Sequence, residues 1–227
     1  MDQLAIDGGT PYRQTPFPPR TPFGDEEVER VTRAIRSQNL FRWGGTEVDT
    51  FEEEFAAFYG RAHAVTSTSG TAAIHLAVGT LDPEPGDEII TAPISDLGSV
   101  SPILQQNAIP IFADIEPATF NMDPEDTEKK ITPRTKAIMV VHLFGNGCDM
   151  DAFTDISRRH GIPLIEDCSQ AHATRYKGRY LGTFGELAAY SLQQSKHMTT
   201  GDGGMTTTSD EALWERLRFF VDKGFQR

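Results

Sequence analysis

Lys196 lies in a polar run, Tyr190 to Gly204, that closes on Gly201-Asp202-Gly203-Gly204. Upstream, Leu164-Ile165 leads into Glu166-Asp167-Cys168-Ser169-Gln170, an acid at the end of an apolar stretch. A lysine amine forms a Schiff base with an aldehyde, and a carboxylate beside a pyridine nitrogen keeps that nitrogen protonated. Those two requirements belong to pyridoxal 5′-phosphate (PLP). A free lysine, pKa ~10.4, is a poor nucleophile at neutral pH, and burial or a cationic neighbour makes it a better one. Taken singly, a lysine or an aspartate is usually a solvated surface group.

A third feature supports the pair. Ser67-Thr68-Ser69-Gly70-Thr71-Ala72-Ala73 precedes an apolar helical stretch. Small residues at a helix start let the backbone approach an anion, with the dipole and free amides aimed at it. Ser69, Gly70, Thr71 and Ala72 are candidate phosphate ligands, and Ser191, five residues before Lys196, is another. The same serines and threonines also suit ordinary helix capping. Gln170 is a candidate contact for a ring hydroxyl. Glu166 is expected to face away from Asp167, as a solvated or capping acid, and His172 reads as a structural rather than a catalytic histidine.

The elements that must position these residues follow from periodicity and punctuation. Residues 7–23 carry Gly8, Gly9 and prolines at 11, 16, 18, 19 and 22, which predicts an extended arm over residues 1–23. From residue 24 to 227 a second region alternates strands and helices. Helices are expected from Asp25 to Ser37, Val48 to Tyr59, Thr71 to Thr80, Val100 to Gln106, Pro124 to Ile131, Asp149 to Arg159 and Glu211 to Asp222. Strands are expected at Ala64–Thr66, Glu88–Ala92, Pro110–Ala113, Ala137–His142, Pro163–Glu166, Leu187–Leu192 and Met205–Thr208, with a turn at Tyr176–Tyr180. Such alternation predicts an α/β fold, a doubly wound, mostly parallel sheet with helices on both faces. Ligands of such sheets lie outside the carboxyl ends of the strands, where Asp167 falls.

Composition limits the rest. Twenty-one Lys and Arg against 33 Asp and Glu give a net charge of −12, which disfavours nucleic acid and anionic membranes as partners. Two cysteines, Cys148 and Cys168, form neither a disulfide scaffold nor a CxxC metal pair, so no metal is expected. The N-terminus lacks the features of a signal peptide and no run is long enough to span a bilayer, so a cytoplasmic location is expected.

Five co-linear stretches, SGTAAIHLA (69–77), PGDEIITAP (85–93), VHLFG (141–145), EDCSQAH (166–172) and SLQQSKHMTTGDGG (191–204), resemble the DegT/DnrJ/EryC1/StrS aminotransferases. GGTPYR (8–13) and GTEVDTFEEEFAAFYG (45–60) extend the resemblance over nearly the whole chain. It implies the fold-type I large domain and a PLP enzyme that transfers an amino group from glutamate or glutamine to a keto sugar, often nucleotide-linked, or a keto cyclitol. It implies Lys196 as the Schiff-base lysine, Asp167 as partner of the pyridine nitrogen, and Gln170 near the ring hydroxyl. Thr71, Ala72 and Ser191 match the family's phosphate-binding positions. A homodimer is the family arrangement.

The family's deoxysugar dehydratases carry histidine in place of this lysine, so Lys196 favours transamination. Leu97 holds the position where many relatives stack an aromatic residue on the cofactor, and a softer apolar contact is expected there. Relatives continue into a smaller C-terminal domain that closes the site, and this chain is expected to lack it. Two alternatives remain: a PLP-binding relative that is dehydratase-like or inactive, and a phosphate or nucleotide-sugar binding module using 67–73 as an anion cradle.

Overall fold

A computed structural model describes residues 3–17, 19 and 23–225. The chain forms two compact units, residues 1–45 and 46–227. In the first, a 3-10 turn at Ala5–Asp7 interrupts an otherwise irregular segment, and helix α1 spans Asp25–Arg36. No residue of α1 is buried. The predicted prolines at 18 and 22 lie outside the described residues.

The second unit runs α2 Glu47–Tyr59, β1 His63–Ser67, α3 Gly70–Thr80, β2 Glu88–Thr91, α4 Leu97–Gln105, β3 Ile109–Phe112, α5 Pro124–Lys129 and β4 Thr135–Val141. It continues with α6 Met150–His160, β5 Leu164–Asp167, β6 Arg175–Tyr176, β7 Arg179–Tyr180, β8 Leu187–Ser191, β9 Gly204–Thr208 and α7 Glu211–Val221. Seven strands make one sheet in the order β1-β9-β8-β5-β4-β2-β3. All pairings are parallel except those of β9, which runs antiparallel to both β1 and β8.

Side chains alternate across the sheet as the pleat requires. Ile90, Ile138, Val140, Ala188 and Tyr190 join one core with Phe55 of α2 and Phe153 of α6. Ile89, Met139, Ile165 and Ala189 join the other, with Ile74 of α3, Ile103 of α4 and Leu217 of α7. Helices therefore cover both faces, and the continuous apolar runs of β4 and β8 are buried on both sides.

Local chemistry sets the element ends. Ser69, Asp96, Asp149 and Asp210 accept hydrogen bonds from the first turns of α3, α4, α6 and α7. The Asp96 cap starts α4 at Leu97, earlier than the expected Val100. The segment read as a turn at 176–180 is a small hairpin. Lys177 and Gly178 both take positive φ, 48° and 86°, as a tight two-residue connection between right-twisted strands requires.

Candidate active site

The parallel strands end on a common edge, and the loops beyond them enclose a cleft of about 390 Å³. Ser69, Gly70 and Thr71 from the start of α3, Asp167 from the end of β5, Gln170, Ser191 and Lys196 all line it. Seven of the nine residues singled out from sequence thus meet at one place. Ala72 does not line it, and its amide donates to Ser69 Oγ at 3.0 Å. Leu97 does not line it either. Its side chain is 73% exposed, while its neighbours Asp96 and Gly98 form the wall.

Asp167 is buried at 3% exposure and its carboxylate is fixed from both sides. Ser99 Oγ donates to Oδ2 at 2.7 Å, and the Ser169 amide donates to Oδ1 at 3.0 Å. Ser95 Oγ lies 2.6 Å from Ser99 Oγ and extends the chain of hydroxyls. These bonds set the carboxylate plane and leave lone pairs for a further donor from the cleft. Neither serine was singled out from sequence. The early start of α4, signalled only by Asp96 as a cap, is what turns Ser99 inward.

Glycine is demanded where α3 meets the ends of β8 and β9. A Cβ at Gly70 would stand 2.5 Å from Ser191 Cβ, and one at Gly204 would stand 2.1 Å from Ser69 O. The α3 N-terminus and Ser191 are therefore pressed into one anion-sized corner. Gly70→Ala is expected to lower stability by about 1–3 kcal/mol, from overpacking against β8. A urea midpoint unchanged from the wild type would show that the corner is not tightly packed.

Lys196 follows β8 on a turn closed by its own amide, which donates to Gln193 O at 2.8 Å. Gln193 Oε1 also accepts from the amide and hydroxyl of Ser195, both at 2.6 Å. Leu192 N donates to Gly203 O and Thr200 N to Leu192 O, so the loop returns alongside β8. Asp96, Gln193, Ser195 and Asp202 also line the cleft. Gln170 Oε1 accepts from the amide of Phe144 at 2.7 Å, which turns its amide group to a set orientation. Phe144 itself takes a left-handed conformation, φ 52°, and is 85% exposed.

His172 donates from Nε2 to Ser191 O at 2.8 Å, and burial holds its pKa below the ordinary value despite that bond. It braces the end of β8, as a structural histidine would.

Glu166 departs from expectation. It is fully buried, neither solvated nor capping a helix. Its Oε1 accepts from the amides of Phe184 and Gly185, both at 2.7 Å. Its Oε2 accepts from Gly182 N at 2.6 Å and faces His142 Nε2 at 3.1 Å. Burial pushes the Glu166 pKa up, but the bond and charge of His142 and the bonds from Gly185 and Gly182 outweigh it, leaving the pKa below the usual 4.5. Burial also opposes charge on His142, yet contacts with Cys148, Cys168 and Glu166 hold its pKa well above normal. The Cys148 amide, 3.3 Å from Nδ1, pulls the other way, because only the neutral ring accepts it. The state common to both is an ionised Glu166 with the shared proton on His142 Nε2. His142, Glu166 and Cys168 place potential ligand atoms within 4.8 Å of one another, but both carboxylate oxygens are already taken by donors.

Residues 22–227 match the DegT/DnrJ/EryC1/StrS aminotransferase family. The chain belongs to that family. An L-glutamine:2-deoxy-scyllo-inosose aminotransferase of Streptomyces kanamyceticus is 39% identical over 95% of this chain and 52% of its own length. The crystal structure of an aminotransferase from Psychrobacter cryohalolentis, 40% identical, superposes with a TM-score of 0.87 over 91% of this chain and 53% of that one. A GDP-4-keto-6-deoxymannose-3-dehydratase solved with a trapped PLP–glutamate geminal diamine is 30% identical, with a TM-score of 0.84 over 92% of this chain and 55% of that one. The chain spans about half the length of the curated relatives it matches. Within this DegT-family chain, no helix among the described residues is long and apolar enough to cross a membrane.

Proposed function

We propose that the chain carries the cofactor half of a PLP-dependent aminotransferase that moves an amino group from glutamate or glutamine to a keto sugar or keto cyclitol. The observation that carries this reading is the convergence of Lys196, Asp167 and the α3 N-terminus in one cleft. The cleft fits the cofactor by its donor set: an anion corner at one side, a buried and oriented carboxylate at another, and an amine on the wall between solvent and interior. Bound PLP supplies an electron sink that eases proton removal from the carbon bearing the migrating nitrogen.

The residues divide the work by chemistry. The first amides of α3, with the hydroxyls of Ser69, Thr71 and Ser191, bind a phosphate dianion, aided by the positive helix end. Asp167 would accept the ring N–H on the lone pairs that Ser99 and Ser169 leave open, and would keep that nitrogen charged. Gln170, its Oε1 held by the Phe144 amide, would offer its NH2 to the ring hydroxyl. Lys196 Nζ would hold the cofactor by its aldehyde carbon and, once freed, would serve as the base and acid that moves the substrate proton. Lysine rather than histidine at this position favours transamination over dehydration.

A homodimer and a cytoplasmic location accompany the reading, as in a small-molecule biosynthetic enzyme. Sedimentation and cell fractionation test these two points.

The PLP-loaded chain is expected to convert 2-deoxy-scyllo-inosose or a nucleotide-linked keto sugar to the amine with L-glutamine, followed by mass spectrometry. Asp167→Asn, which cannot balance a ring cation, is expected to lower turnover by roughly 10²–10³-fold. An Asp167→Asn variant at wild-type rate would sink the assigned role.

A further inference from the structure

Three arginines gather at the end of the sheet opposite the cleft. Arg61 sits just before β1, whose first residue, His63, pairs with Thr208, whereas the other end of the same ladder, Ser67 with Gly204, leads to the cleft. Arg175 and Arg179 stand on the β6–β7 hairpin. With Tyr180, Thr183 and Ser209 they line a second cavity of about 480 Å³ that shares no residue with the first.

The charge there is only partly offset, with Glu166 and Glu186 acting on Arg61 from beyond ion-pair distance. The chain is acidic overall, at −12, yet none of these three arginines forms an ion pair with a described residue. Their hydrogen bonds go to neutral oxygens. Arg61 Nη2 donates to Gly185 O at 3.0 Å and Glu186 O at 2.8 Å. Arg175 Nη1 donates to Gly178 O at 2.6 Å, and Arg179 Nε to Thr183 Oγ1 at 2.9 Å. Bracing of the 183–186 turn accounts for those donors and leaves others unused. Arg61 Nε is buried without a hydrogen-bond partner, an uncommon cost for a polar group.

Rings hold the guanidinium planes. Arg175 lies 3.6 Å over the Tyr180 ring and Arg179 lies 4.2 Å over Phe184. Arg179 spends Nε and Nη2 on Thr183, whereas Arg175 keeps Nε and Nη2, the edge that suits bidentate recognition of a tetrahedral anion. Ser209 Oγ accepts from the Ala62 amide at 3.2 Å and keeps its own proton to donate. Three cations at one cavity suit a dianion better than a single carboxylate.

We infer that the cavity bounded by Arg61, Arg175 and Arg179 binds a phosphate group, as inorganic phosphate or as a phosphate monoester. The site is separate from the cofactor cleft and independent of the reading proposed for it.

The test is calorimetric titration of inorganic phosphate into the full chain, with the cleft first filled by PLP and fixed with borohydride. Wild type is expected to bind phosphate saturably. Arg175→Gln/Arg179→Gln is expected to weaken that binding at least tenfold, and Arg175→Lys/Arg179→Lys to retain more of it. Because Arg61 also braces the fold, its part is read without mutation, from a shift of its Nε–H resonance on phosphate addition. Competition with glucose 6-phosphate separates the sources: an ester that binds tighter than phosphate marks a monoester site, and the reverse marks inorganic phosphate. No saturable binding by the wild type, or equal binding by the glutamine double variant, would overturn the inference.

Discussion

Lys196→Ala is expected to abolish amino transfer, with turnover lower by about 10⁴-fold, while PLP still binds by its phosphate and ring. The reason is that one amine carries two duties, attachment of the cofactor and movement of the proton. Lys196→Arg should fail equally, because a guanidinium stays protonated and is no nucleophile at neutral pH. The loss should appear in turnover more than in PLP affinity, since the α3 corner, Asp167 and Gln170 are untouched. Absorbance titration with PLP and a single-turnover assay with L-glutamine separate the two quantities. A Lys196→Ala chain that still converts PLP to pyridoxamine phosphate at a wild-type rate would place the proton shuttle elsewhere.

The second large effect is on stability and lies one residue before the proposed ring partner. Glu166→Ala is expected to destabilise the fold by about 3–5 kcal/mol, since it strands His142 and three backbone amides inside the protein. The same residue predicts a pH dependence. Its folded pKa lies below the ordinary 4.5, so the unfolded state binds its proton more readily. The stability it contributes is therefore fully present above about pH 4.5 and is lost as pH falls through the lower folded value. Urea midpoints followed downward from pH 6 should decline in this acid window for the wild type. The Glu166→Ala chain should start lower and lack that part of the slope. Equal acid slopes in the two proteins would mean that Glu166 is not the ionised bolt described here.

Much of this was legible in the sequence, for definite reasons. The apolar runs of β4 and β8 announce strands covered on both faces, and the small residues of 67–73 announce a helix start beside a close approach. Asp167 and Lys196 could be assigned to one edge because parallel strands present their carboxyl ends together. What escaped notice depends on partners distant in sequence. Ser99 meets Asp167 across 68 positions, and Glu166 is satisfied by loop amides at 182–185 that only the folded sheet brings near. Local pattern also misdirects at Leu97, whose apolar side chain turns to solvent because it opens α4 behind the Asp96 cap. The hairpin at 175–180 was hidden because Lys177 accepts a positive φ that lysine rarely takes. The reversed direction of β9 carries no signature in a run of buried threonines.

The central claim is that this cleft holds PLP through Lys196. Its most direct test is to titrate the purified chain with PLP, reduce with borohydride, digest, and map the pyridoxyl label by mass spectrometry. The account predicts a visible absorbance band that disappears on reduction, and one label per chain, on the peptide containing Lys196. No band, or a label spread over surface lysines such as Lys129, Lys177 and Lys223 with Lys196 unmodified, would contradict it.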